Sequence, residues 1–315
     1  VNDQPTSIHK HLTVALDEIE ETAPKGMNPC GLHTGFRDLD ALTAGLQPGT
    51  LTVIASRPSM GRTTLLSDIC RRTAIADGLP TAVWTLEEEP DQFCTRVLCA
   101  EARVARHHVS SGNLTNEDWN RMAQHVPNVA GAPLYIGSPP SITTSEIAEQ
   151  AAELVRESHV MLIAVDGIQD IRPEKRSDLR EREVGDVVRD LKTLARDLQV
   201  PVLATSHLNR GPEQRISKKP RLDDLRESGA ITFAADTIIL LHREDYYEKE
   251  SPRAGEADLI VAKHRHGPTA LITVAFMAHY GRFVDMLPED TAPPKPAASD
   301  FKFDLNGLFN PKAQD

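Results

Sequence analysis

Several short stretches of this chain are apolar on consecutive residues rather than alternate ones, and this limits the folds open to it. Leu51–Ala55, Val160–Val165, Pro201–Ser206 and Thr237–Leu241 are almost unbroken runs of aliphatic and small residues. A strand with one wet face alternates, whereas a run like these belongs to a strand covered on both faces, as in a parallel sheet. Ala82–Leu86, Pro133–Ile136, Asp258–Ala262 and Ile272–Phe276 are further strand candidates. Amphipathic helical patterns lie between them at Thr63–Asp77, Gln92–Val104, Thr144–Ser158 and Glu183–Leu198. The third opens on a capping box, Thr143 with Glu146. Alternating strand and helix predicts an α/β fold with right-handed crossovers and a mostly parallel central sheet flanked by helices. The last three strands, joined by short connections, are expected to form an antiparallel extension.

Composition narrows the function classes. A chain of 315 residues suits one large domain or two modest ones. No apolar run approaches the roughly 20 residues of a membrane-spanning helix, and the polar first residues lack a signal-peptide core. A cytoplasmic protein with no membrane partner is expected. Four cysteines are too sparse for a disulfide framework. The net charge of −11 argues against coating nucleic acid with the whole surface but allows a local basic path. Three segments follow. Residues 1–30 hold an amphipathic helix and connector, residues 31–286 the main domain, and residues 287–315 a Pro-rich tail expected to be disordered. Ile8, Leu12, Ala15 or Leu16, and Ile19 give the first helix one apolar face. That face either packs on its own domain or docks on a neighbouring subunit.

The strand Leu51–Ala55 runs into Ser56-Arg57-Pro58-Ser59-Met60-Gly61-Arg62-Thr63-Thr64 and then a helix. A tight loop between a strand and a helix N-terminus is an anion cradle, because backbone N–H groups and the helix dipole both face the ligand. The phosphate-loop pattern is G-x-x-x-x-G-K-[ST]. Here Ser56 replaces the first glycine and Arg62 the lysine, while Gly61 and Thr63 fit. Thr63 is placed to hold Mg²⁺. Arginine is longer, planar and forked, so it is not equivalent to lysine at a tight site, although it can still bind phosphate bidentately.

Two carboxylates stand where such a loop would use them. Asp166 ends the Val160–Val165 strand, and the C-terminal edge of a parallel sheet is where ligands bind. Next to a phosphate loop it would serve Mg²⁺. Glu87 is the first residue after Ala82–Leu86 and is the candidate to orient and deprotonate an attacking water. Glu88 and Glu89 are expected to be exposed.

Together, these parts resemble the C-terminal motor domain of DnaB-type replicative helicases, built on the RecA-like P-loop ATPase fold. The resemblance runs from about Gly31 to Met286. It is carried by Thr34-Gly35-Phe36, Thr43-Ala44-Gly45-Leu46-Gln47-Pro48, Arg57-Pro58-Ser59-Met60-Gly61, Leu86-Glu87 and Asp166 with Gln169. Further along it includes Leu208-Asn209-Arg210, Asp224-Leu225-Arg226-Glu227-Ser228-Gly229 and Lys263-His264-Arg265-His266-Gly267-Pro268. It implies ATP and Mg²⁺ as cofactors, with Ser59, Met60, Gly61, Arg62, Thr63 and Thr64 in the phosphate loop, Glu87 as catalytic base, and Thr63 and Asp166 on the metal. Lys263 and Arg265 would reach the γ-phosphate of an adjacent subunit, Arg265 as an arginine finger. His207 stands where the family has a γ-phosphate-sensing glutamine. A finger acting in trans implies a homo-oligomeric ring, expected to be a hexamer. Arg226, Glu227 and Gly229 match the loop that grips single-stranded DNA, and a linker helix docked on the next subunit favours that reading of Ile8–Ile19.

From Arg210 to Arg226, six basic residues face three acidic ones with few aromatics, which suits salt-dependent backbone contact rather than base stacking. The departures are Arg62, His207, Gly167 in place of an aromatic, and the lack of the family's N-terminal collar, through which primase docking is then not expected. The implied function is an ATP-dependent DNA helicase of DNA replication. The alternative is a nucleotide-binding, weakly hydrolysing or inactive paralogue with a regulatory role.

Overall fold

The computed structural model describes Ile8, Leu12, Leu16, residues 31–225 and residues 228–286. Ile8, Leu12 and Leu16 are helical, with Ile8 and Leu12 exposed. The remainder of residues 1–30 and the whole expected tail, 287–315, lie outside the described residues.

Among the described residues, nine strands form one sheet. They are β1 (Leu51–Ser56), β2 (Thr81–Thr85), β3 (Leu134–Gly137), β4 (Leu162–Asp166), β5 (Val202–His207), β6 (Thr237–His242), β7 (Glu256–His264), β8 (Ala270–Met277) and β9 (Arg282–Asp285). Their spatial order is β3-β2-β4-β5-β1-β6-β7-β8-β9. All pairings from β3 through β6 are parallel, and those from β6 through β9 are antiparallel. β6 therefore closes the parallel half, pairing with β1, and the antiparallel extension is β7, β8 and the unforeseen β9.

Helices cover both faces, as consecutive apolar strands require. On β1, Leu51, Val53 and Ala55 join one core and Ile54 the other, following the two-residue period of a strand. The first core is covered by α6 (Thr144–Ser158), α7 (Arg180–Leu198) and α9 (Ser228–Ala234). Val184, Val187, Val188, Leu191, Leu194 and Ala195 of α7 fall at spacings of three and four and are all buried there. The second core is covered by α1 (Arg37–Thr43), α2 (Arg62–Arg71) and α3 (Pro90–Ala102). α2 passes into a π-helical turn at Arg72–Ala76, inside the range expected to be plain helix.

The capping box of α6 is present: Glu146 N–H donates to Thr143 Oγ1 (3.3 Å) and Thr143 N–H to Glu146 Oε2 (2.7 Å). Besides α1, α9 and a short helix at Gly211–Gln214, α4 (Arg106–Ser111) and α5 (Asn116–Ala130) had no sequence expectation. α5 has its own capping box, with Thr115 and Asp118 exchanging hydrogen bonds of 3.1 Å in both directions. The short α8 spans Gly211–Gln214. Among the described residues, no helix is long and apolar enough to cross a membrane.

Candidate nucleotide site

Sheet register brings the candidate residues together. Ser56 ends β1 and pairs with His207, the last residue of β5; Asp166, the last of β4, pairs with Thr85 of β2, two residues before Glu87. The C-terminal ends of β1, β2 and β5 thus open on one cavity of about 390 Å³, while Asp166 of β4 is fully buried and is not among its lining residues. The cavity lining includes Ser59, Gly61, Arg62, Thr63, Glu87 and His207.

The loop contains two left-handed residues, Ser59 at φ 65° and Gly61 at φ 100°. Such turns point successive backbone N–H groups into one concavity, a nest for anions. Gly61 is required twice over: its φ disfavours a side chain, and a Cβ there would lie 2.8 Å from Cζ of Phe283 on β9. Met60 contributes only backbone to the loop, since its side chain is buried in the second core. Thr64 is buried, with its hydroxyl 3.3 Å from Arg96 Nη1, while Thr63 is only partly buried and lines the cavity.

Arg62 is buried, and both of its terminal nitrogens have partners, among them a 3.3 Å contact of Nη2 with His207 Nε2. Nη1 donates to Ser206 O (3.1 Å) and to His207 Nδ1 (2.9 Å), and Nη2 donates to Glu87 Oε1. Its Nε is buried without a partner. Burial raises the Glu87 pKa, but the His207 hydrogen bond and the Arg62 charge outweigh it and hold the carboxyl below its ordinary value. Glu87 therefore stays ionised at neutral pH.

Asp166 is fully buried. Its Oδ1 accepts from Thr205 Oγ1 (2.6 Å), while Oδ2 is buried without a hydrogen-bond partner of good geometry, near the Thr63 side chain. Burial raises its pKa, opposed by the Thr205 hydroxyl. A buried donor with no acceptor (Arg62 Nε) and a buried acceptor with no donor (Asp166 Oδ2) are what an anion and a cation would satisfy. The residues present fit a phosphate and a divalent metal.

Gly167, where an aromatic was expected, has a steric reason. It sits at φ 108°, its N–H donates to Thr205 Oγ1 (2.8 Å), and a Cβ would meet Asp170 Oδ2 at 2.5 Å. Gln169 bridges β4 to β5, donating to Ser206 Oγ (2.9 Å) and accepting from His207 N (3.3 Å).

Sequence reasoning missed three arginines at this cavity, Arg57, Arg96 and Arg106. It also placed Glu88 in solvent. Instead, the Glu88 side chain is 10% exposed and pairs with Arg96 (2.7 Å) and Arg106 (3.7 Å). Helix positions with no turn or cap signature leave no pattern that would reveal such a pairing.

The other candidates lie elsewhere. Lys263 and Arg265 are absent from the cavity lining. Lys263 Nζ donates to the carbonyls of Thr232 (2.6 Å) and Ala235 (2.5 Å), at the end of α9. Burial, then the neighbouring Arg265 charge, lower its pKa. Arg265 donates to Phe233 O (3.1 Å) and pairs with Asp236 (2.9 Å). Of the expected DNA-contacting residues, Arg226 and Glu227 lie outside the described residues, and Gly229 is in the first turn of α9. The basic segment is thinner than its charge count suggested, because Arg215 is bound to buried Asp224 (2.5 Å) and Lys219 lies 3.5 Å from Asp258.

Sheet order, loop and strand-end carboxylates define an α/β architecture of the RecA-like ATPase type. Residues 31–285 match the DnaB-like helicase C terminal domain family, and the chain belongs to that family. It is 47% identical over 277 residues to the replicative DNA helicase DnaB of Leifsonia xyli subsp. xyli, covering 88% of this chain and 61% of that protein. It is 38% identical to the replicative DNA helicase DnaC of Bacillus subtilis, covering 87% of this chain and 61% of that protein. The chain thus spans about three-fifths of the length of these relatives. Among solved structures, an ATPase domain superposes with a TM-score of 0.85 at 30% identity, covering 90% of this chain and all of that one. A DnaB-like replicative helicase studied with primase gives a TM-score of 0.83 at 30% identity, covering 90% of this chain and 68% of that one.

Proposed function

We propose that this chain is the ATP-hydrolysing motor of a replicative DNA helicase that works as a ring on single-stranded DNA. The convergence of Arg62, Thr63, Glu87, Asp166 and His207 at the ends of four parallel strands carries the reading. The loop N–H groups and Arg62 bind the phosphates of ATP. Thr63 and Asp166 are the residues that would hold magnesium, which supplies charge neutralisation between the terminal phosphates. Glu87, ionised by its neighbours, orients the attacking water and takes its proton. Lys263 and Arg265, absent from their own chain's cavity, serve the next subunit's γ-phosphate. The segment Arg226–Gly229 holds the DNA backbone. The exposed apolar face at Ile8 and Leu12 suits docking on a neighbouring copy.

One observation favours a weaker enzyme: the Arg62 tip is already committed to Glu87, Ser206 and His207. Steady-state ATP hydrolysis with and without single-stranded DNA decides between the two. DNA-stimulated turnover that disappears in Glu87→Gln is the expected result. No turnover in the native chain, with recovery in Arg62→Lys, would establish the regulatory paralogue instead.

A further inference from the structure

Two of the chain's departures from its family, Arg62 and His207, are in direct contact. Arginine has five N–H donors and no acceptor. Both ring nitrogens of His207 face Arg62, Nδ1 at 2.9 Å from Nη1 and Nε2 at 3.3 Å from Nη2; a neutral imidazole has one acceptor nitrogen, and the shorter contact assigns that role to Nδ1. The single ring proton is then on Nε2, which lies 3.3 Å from Glu87 Oε1. Arg62 Nη2 donates to the same oxygen. Arginine, histidine and carboxylate close a circuit, anchored to β5 by the bond from Nη1 to Ser206 O (3.1 Å). The two Nη1 hydrogens and one of Nη2 are spent. Nε–H, buried without a partner, is the donor left for a phosphate oxygen.

We propose that His207 is a positioning residue for Arg62, and that the arginine–histidine pair is the phosphate-binding unit that stands in for the usual loop lysine. The proposal rests on the nucleotide reading of this cavity. His207 acts by holding Nη1, so that the Nε edge of the guanidinium faces the ligand. It acts through Arg62 rather than by touching the nucleotide. A lysine ammonium is one nitrogen on a flexible stem and has no edge to orient, so His207 has little to position in Arg62→Lys. Glutamine has one acceptor and one donor group and can replace histidine in the circuit. Leucine cannot.

The test is a double-mutant cycle read by equilibrium binding of Mg·ADP to the full chain, together with the ¹⁵N resonances of the His207 ring. His207→Leu is expected to weaken Mg·ADP about tenfold beside Arg62 but under about threefold in the Arg62→Lys background. His207→Gln is expected to stay within about threefold of the native chain. In the native protein Nδ1 should resonate as an unprotonated acceptor and Nε2 as protonated, and Arg62→Lys should abolish that pattern. Equal losses in both backgrounds would show that His207 meets the nucleotide independently, and the pair would be refuted. A protonated Nδ1, or no loss in His207→Leu, would overturn it too. If the native chain does not bind Mg·ADP, the nucleotide reading fails and the phosphate unit fails with it, whereas binding with additive losses overturns the pair alone.

Discussion

The cavity around Arg62 and the clasp around Lys263 handle charge in opposite ways. In the cavity, the Arg62 cation meets an anion, Glu87, and the two stand 25 residues apart, one opening α2 and the other following β2. In the clasp, Lys263 donates to backbone carbonyls at the end of α9, and the pairing of Arg265 with Asp236 is its ion pair. Carbonyls hold the Lys263 ammonium without a direct carboxylate partner among the described residues, and burial with the neighbouring Arg265 charge lowers its pKa against the opposing Asp236. In the proposed function the first region is a nearly finished binding site, and the second offers its cations to a phosphate on another copy.

The contrast can be tested at decreasing strength. Arg265→Ala should cut DNA-stimulated ATP turnover by roughly 10³-fold, the range for a finger acting in trans. Glu87→Gln should cost about 10²- to 10⁴-fold. Mixing these two inactive proteins should restore turnover, since some interfaces then hold an intact Glu87 and an intact Arg265. A mixture as inactive as its components would place both residues in one subunit's site.

Stability changes are smaller. Burial raises the pKa of Asp258, yet its bonds to Arg253 (3.0 and 2.5 Å) win and hold it below 3.8. A carboxyl with a depressed folded-state pKa contributes stability above its unfolded value and loses it as pH falls through the folded one. Asp258→Asn should therefore cost roughly 3 kcal/mol at neutral pH, with the difference closing below about pH 4 in denaturant titrations. Gly61→Ala should lose about 1–3 kcal/mol from its left-handed φ and weaken nucleotide binding, because Phe283 must move. An unchanged melting temperature would mean that β9 yields freely. Thr115→Ala, remote from both regions, should remove about 1 kcal/mol through its cap and leave turnover unaltered.

Much of the fold was legible because buried parallel strands are consecutive in sequence: eight of the nine were visible as apolar runs. β9 was not, since Arg282-Phe283-Val284-Asp285 is short and owes its place to pairing with β8. α5 was hidden because it contains Pro127 and leaves Trp119 and Val126 exposed, which blurs its apolar face. At the site, Glu87 and Asp166 were legible from their positions at strand ends. The circuit joining Arg62, His207 and Glu87 was not, because it depends on the register of β1 against β5 and on side-chain direction. Glu88 was misread for a similar reason, as its partners come from the next two helices.

The contact between Phe283 and Gly61 also sets an order of events. The phosphate loop belongs to the first strand of the sheet, yet its roof is the last, which Phe283 N–H secures to Asp68 of α2 (2.6 Å). A chain emerging from the ribosome completes its loop backbone early but cannot close it until more than 220 further residues (283 − 61) have been made. In the proposed function, nucleotide binding is therefore among the last properties this domain acquires during synthesis, and a stalled or truncated product ending before Phe283 is expected to bind ATP more weakly.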